Sequence, residues 1–190
     1  MDLIVVADSL ERSQPLLKAA GKAGYRIVKL VGPDDEITPY PKAGSVDATV
    51  IICDEVADTQ LRAIRSVAQA SPMPVLVLTN DDRNDSIQAA VKAGASSYVI
   101  ECTELSRLDS LLRVATVHYQ QNLLLTNELE TMRTALVQRK IIEKAKGIIM
   151  KQRNIDEDHA YKAIRQLAMN HNKKIGEVAG QIVTAAEILL

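Results

Sequence analysis

Five short apolar runs constrain the N-terminal part of this chain more than any other feature. They lie at 3–7, 26–31, 48–53, 74–79 and 97–100, and each has the length of a strand. Runs such as Leu-Ile-Val-Val-Ala at 3–7 and Ala-Thr-Val-Ile-Ile-Cys at 48–53 are apolar almost throughout, so both faces of those strands are expected to be buried, as in a parallel sheet. The segments at 9–23, 59–69 and 84–93 place apolar residues at helical spacing, for example Leu61, Ile64, Val67 and Ala68. Strands alternating with helices imply right-handed crossovers and a doubly wound, five-stranded parallel sheet with helices on both faces. Residues 32–47 hold three prolines and two glycines and read as loop. In such a fold the side chains just beyond the strands' carboxyl ends share one crevice, here Asp8, Asp54 and Thr79.

At Leu105 the pattern changes. No Gly or Pro follows until Gly147, and Leu111, Ala115, His118, Asn122, Leu125, Leu129, Met132 and Leu136 alternate at spacings of 4 and 3. That is a heptad seam, with Leu108 one step upstream. A buried Asn in such a seam fixes register and favours a two-stranded parallel coiled coil, so the expectation is a homodimer. The alternative is one long helix folding back on its own sheet.

The tail divides into three amphipathic helical segments. The first continues the seam helix to about Gln152, with Ile141, Ile142, Ala145, Ile148 and Ile149 on one side. Asn154 is a stop signal, and Asp156, Glu157 and Asp158 place carboxylates at the positive end of the next helix. Ala160, Ile164, Leu167 and Ala168 form its stripe, and a third helix spans 174–190. The expected division is a sheet domain at 1–104, a coiled-coil linker at 105–137 and a helical bundle at 138–190.

Charge is uneven. Residues 139–190 carry 10 Lys and Arg against 6 Asp and Glu, while the chain as a whole has a net charge of −1. Arg139, Lys140, Lys146, Lys151, Arg165, Lys173 and Lys174 recur along the tail, which points any polyanionic partner there. Aromatics are only 3%, which disfavours a surface built from stacked rings; Tyr161 is the one aromatic of the tail, and a stacking platform is the minor reading of it. Gly147 permits close backbone approach, to a ligand or to a neighbouring helix.

Residues 136–190 resemble the ANTAR domain, an RNA-binding antitermination module of bacterial regulators. The resemblance rests on Arg139, Ala145-Lys146-Gly147, Met150, Ala160, Arg165, Ala168-Met169 and the last helix. The first part resembles a response-regulator receiver, and the whole is similar to antiterminators of nitrate assimilation and, more distantly, of amidase regulation. The resemblance implies binding of paired stem-loops in a nascent leader mRNA, which prevents a terminator from forming. Together with the basic pattern it makes Arg139, Lys140, Lys146, Gly147, Lys151, Arg165, Lys173 and Lys174 the candidate RNA contacts, with a solvated helix face as the other reading for Lys140. The physics agrees, since cations on a helix neutralise phosphates and Arg also bonds or stacks on a base.

A phosphorylatable receiver requires paired acids for Mg²⁺, an acceptor Asp, a Ser or Thr, and a Lys. Here Asp8 stands alone, Asp54 is the acceptor candidate, Thr79 fits, and Glu101-Cys102 stand where Lys-Pro is usual. The expectation is a pseudo-receiver not switched by phosphorylation, and the resemblance to nitrate-assimilation antiterminators implies regulation by a protein partner that senses nitrate or nitrite. The alternative is a response regulator whose DNA or RNA binding is switched by phosphorylation; a tail that binds only protein is a third reading. No paired acid and base, activated nucleophile or phosphate loop suggests an enzyme, and no cofactor or metal site is expected. Cys53 and Cys102 match no metal spacing and fit a reducing compartment. No signal peptide or membrane span is read, so the expected location is the cytoplasm, with no membrane partner.

Overall fold

The computed structural model describes residues 1–32, 46–70, 72–100 and 107–189. The strands are β1 (Asp2–Ala7), β2 (Arg26–Val31), β3 (Ala48–Cys53), β4 (Val75–Thr79) and β5 (Ser97–Ile100). The helices are α1 (Leu10–Lys22), α2 (Asp58–Ala70), α3 (Asn84–Ala93), α4 (Leu108–Arg153), α5 (Glu157–Asn170) and α6 (Ile175–Leu189). The described residues form two compact units, Met1–Leu123 and Leu124–Leu190.

In the first unit all strands pair in parallel, in the order β2-β1-β3-β4-β5. The apolar runs are buried on both sides because helices cover both sides. Ile4, Val6, Ile51, Val75 and Val77 face Ile64 and Val67 of α2 and Ala90 of α3. Leu3, Val5, Val50, Leu76 and Leu78 face Leu16 and Ala20 of α1 together with Leu108, Leu112 and Ala115 of α4. Gly94 closes α3 in the left-handed region at φ +117°, where a side chain would also meet the Ala68 Cβ.

The start of α4 corrects the expected seam. Leu111 packs against the second cluster and Ala115 is fully buried in it, so these two positions are filled by the chain's own sheet. For that stretch the alternative of a helix folding on its own domain holds. Tyr25 hydrogen-bonds Asp109, which also pairs with Arg113 at 2.8 Å, and His118 Nδ1 lies 3.2 Å from the Ser96 carbonyl. Further along, Leu125, Leu129, Met132 and Leu136 are 56–61% exposed.

The second unit is a small helical bundle. Ala145 and Ile149 of α4 pack with Ala160, Ile164 and Ala168 of α5 and Val178 and Ala179 of α6. Asn154 takes a positive φ of 50° and ends α4, and the Asp156 carboxylate caps α5 by accepting from the His159 amide at 2.8 Å. Gly176, at the start of α6, lies under the end of the Gln138 side chain.

Candidate functional site

Two places collect the residues singled out from the sequence. The first is the crevice at the carboxyl end of the sheet, where the direction of strand connection reverses between β1 and β3. A cleft of about 240 Å³ lies there, lined by Arg12, Ile52, Cys53, Asp54, Leu78, Thr79 and Asn80. The register pairs Cys53 with Thr79, which brings the ends of β3 and β4 level.

Asp8, Asp54 and Thr79 do converge, and each is already engaged. The Asp8 carboxylate accepts from Gln60 Nε2 at 2.6 Å. That amide is nearly buried, and its oxygen accepts from the Ala57 amide at 3.1 Å and from the Thr59 hydroxyl at 2.7 Å. Asp54 accepts from the Arg12 guanidinium and from Asn80 Nδ2 at 2.9 Å. The hydrogen bond from the Arg12 guanidinium holds the Asp54 carboxyl below its ordinary range. The Thr79 hydroxyl donates to the Asp54 carbonyl at 2.7 Å and accepts from the Asp81 amide at 3.1 Å. Arg12 was not among the expected residues; nothing in its spacing marks it, because α1 carries it back over the crevice only in the folded chain.

These residues do not fit a divalent cation. Such an ion takes oxygen ligands, and Mg²⁺ requires a near-octahedral set. Here the Asp54 carboxylate is matched by a resident guanidinium, and the Asp8 carboxylate is fixed by an amide donor. Among the described residues no group of three or more His, Cys, Asp or Glu could hold a metal ion. Glu101 and Cys102 lie outside the described residues, as do 33–45 of the expected loop.

Sequence reasoning also missed Asp81, whose side chain is 1% exposed. It accepts from the Val56 amide at 3.1 Å, the Arg83 amide at 3.1 Å, and Arg83 Nε and Nη2 at 2.9 and 2.8 Å. Its carbonyl accepts from the Tyr98 hydroxyl at 2.8 Å. One carboxylate thus ties together the loops after β3 and β4. The Arg83 hydrogen bond is the main reason that its carboxyl lies far below the ordinary value. Burial pushes the Tyr98 hydroxyl up to about 12 and the Cys53 thiol up to about 11, so neither ionises near neutrality.

The second place is the helical bundle. Arg139, Lys140, Lys151, Arg165, Lys173 and Lys174 are exposed and make no ion pair among the described residues. Lys146 differs from its expected role. Its side chain is only 9% exposed, and its ammonium donates to Glu143 at 2.8 Å and to Glu157 at 2.6 Å. Those two carboxylates, Glu143 first, raise its pKa. It is a bridge between α4 and α5, not a free cation, and removing it leaves two carboxylates side by side. Lys144 is also paired, with Glu187 of α6 at 2.6 Å.

Gly147 is half-buried and lies in line with Lys140, Lys144 and Lys151 along α4, one or two turns apart. Nothing lies within 4 Å of where its Cβ would stand, so helix packing does not account for it. Met150 packs against the bundle core, whereas Met169 and Tyr161 are exposed.

A receiver-like sheet followed by a basic three-helix module defines a regulatory protein. The chain carries an ANTAR domain: residues 130–183 match the model of that family. Over 177 residues, 93% of this chain and 86% of the relative, it is 24% identical to the transcriptional regulatory protein PdtaR of Mycobacterium tuberculosis. Over 60 residues, 32% of this chain and 15% of the relative, it is 37% identical to the nitrate regulatory protein of Klebsiella oxytoca. The signal receiver domain of a modulated diguanylate cyclase from Desulfovibrio desulfuricans shares its fold, with a TM-score of 0.52 at 14% identity, covering 64% of this chain and 97% of that domain. Among the described residues no helix is long and apolar enough to cross a membrane.

Asp81 gives a pH signature. A carboxyl whose folded pKa is lowered contributes stability above the unfolded value, about 3.9, and loses it as pH falls through the folded value. Asp81→Asn should therefore cost about 2 kcal/mol at pH 7, within the range for hydrogen bonds to a charged group. Urea unfolding across a pH series should show the gap between variant and parent narrowing below about pH 4. A gap independent of pH would assign the loss to shape and not charge.

Proposed function

We propose that this chain is an RNA-binding transcription antiterminator that holds paired stem-loops of a leader mRNA and prevents the terminator from forming. The observation that carries the reading is the ANTAR domain with exposed cations that make no ion pair among the described residues, Arg139, Lys140, Lys151, Arg165, Lys173 and Lys174 among them. Phosphates of a loop are neutralised by such cations, and splayed bases supply the remaining contacts. Gly147 supports the same reading. A mid-helix glycine costs roughly 0.5–1 kcal/mol relative to Ala, and the chain's own packing gives no reason for it, which fits close approach by a ligand.

Two copies present two such domains. The exposed Leu125, Leu129, Met132 and Leu136, with Asn122 as the polar position, fit a two-stranded parallel coiled coil. The pairing stretch therefore begins beyond Ala115, and the 105–137 linker of the sequence reading shortens from its N-terminal side.

In the sheet domain the Arg12–Asp54 pair supports a pseudo-receiver. The guanidinium supplies the positive charge that a phosphorylatable site takes from its metal, and it occupies the acceptor carboxylate itself. Regulation then falls to a protein partner. The likeness to a nitrate regulatory protein supports nitrate or nitrite as the signal that such a partner senses.

Titration of a fluorescent leader hairpin tests the RNA reading. Arg139→Ala with Lys151→Ala should weaken binding at least about tenfold and reduce the slope of log affinity against log salt by about 1.4. Sedimentation should still give a dimer. Binding equal to the parent would remove these contacts, and equal affinity for the matching duplex DNA would favour a DNA-binding tail. With acetyl phosphate and Mg²⁺, the parent should give no more acyl-phosphate than Asp54→Ala; a stable adduct lost in that variant would make the domain a working receiver. Pull-down from nitrate-starved cells should recover a companion that nitrate-fed cells release, and identical companions in both would remove the nitrate signal.

A further inference from the structure

The helical bundle contains a groove that neither the exposed cations nor the packing of the core uses. It has a volume of about 440 Å³ and is walled by α4, α5 and α6. Its floor is aliphatic, with Ile149, Leu167 and Ala186. Its rim is polar and uncharged but for one cation: Gln152, Arg153, Gln166 and Asn170. No carboxylate lines it.

The rim is organised. Gln166 Nε2 donates to Asn170 Oδ1 at 2.9 Å, one helical turn on. That bond engages one atom of each exposed carboxamide and leaves Gln166 Oε1 as an acceptor and Asn170 Nδ2 as a donor, without a protein partner among the described residues. Edges of nucleobases present the complementary pair of a donor and an acceptor, which is why Asn and Gln carboxamides read bases. An aliphatic floor suits the face of a base, and Arg153 adds a cation to the lining that a phosphate can pair with.

Other occupants fit less well. A phosphate alone would lose hydration over Ile149 and Leu167 with a single cation in return. An apolar helix from a second copy would bury the carboxamide donor and acceptor unsatisfied.

We infer that this groove takes one unstacked base from the loop of a single-stranded RNA, held by the Gln166–Asn170 pair over the aliphatic floor. The inference rests on the RNA-binding reading above and adds to it a site for base recognition separate from the phosphate-neutralising cations.

The test uses the full chain and a pool of stem-loop RNAs with a fixed stem and a randomised loop. The parent selects a hairpin from the pool, and each loop position of that hairpin is then made abasic in turn. The variant Gln166→Ala with Asn170→Ala places good helix formers on an exposed face, so it should fold as the parent does, checked by circular dichroism and thermal melting. It should bind the selected hairpin about tenfold more weakly with an unchanged salt slope. It should also be indifferent to the one abasic position that costs the parent most. If the variant binds the selected hairpin as tightly as the parent, or if its loss adds to that of every abasic position, the groove holds no base while the RNA reading stands. If the variant instead shifts the monomer–dimer balance, the groove is an interface between copies, and the proposal fails. If the parent selects no hairpin at all, the RNA reading itself is lost, and this site with it.

Discussion

Burial of the first turns of α4 against the sheet is the constraint on which the rest depends. Leu108, Leu112 and Ala115 complete the layer that α1 begins, and without them Leu3, Val5, Leu76 and Leu78 would face water on one side. A parallel sheet needs both faces covered. The helix that carries the heptad seam is therefore first a structural part of the sheet unit. Only after those turns are its apolar residues left without a partner, and there Leu125, Leu129, Met132 and Leu136 stand in solvent.

The two candidate sites treat charge in opposite ways. At the strand ends, carboxylates are engaged within the chain: Arg12 pairs with Asp54, Arg83 with the buried Asp81, and the neutral Gln60 amide hydrogen-bonds Asp8. A crevice whose carboxylates are already satisfied offers little electrostatic gain to an incoming ion. On the ANTAR domain most cations are left open, and a polyanion that displaces their counterions gains free energy. Lys146 marks the boundary between these behaviours, a cation of the same helix drawn inward to join α4 to α5.

Much of the fold was legible because it rests on local periodicity. The strands at 26–31, 48–53 and 97–100 and the helix at 84–93 match their observed bounds, since apolar runs bounded by Gly, Pro and Asp leave few options. Asn154 and Asp156 marked the break between α4 and α5 through their backbone and capping preferences. Within the sites, the convergence of Asp8, Asp54 and Thr79 followed from strand topology alone. Arg12, Gln60 and Asp81 did not, because their roles come from loops and helices folded back over the strand ends.

The sequence by itself determined the parallel sheet, the long helix and the helical module, since each follows from the spacing of apolar residues along one segment. Only the tertiary structure decided which residues of that spacing are already used. Leu111 and Ala115 share a heptad seam with Leu125 and Leu129, yet the first two pack on the sheet and the latter two do not. Lys146 and Lys151 belong to one basic helix, yet one meets Glu143 and Glu157 while the other is exposed. The physical reason is that partners distant in sequence settle whether a side chain is satisfied, and periodicity within one segment carries no information about them.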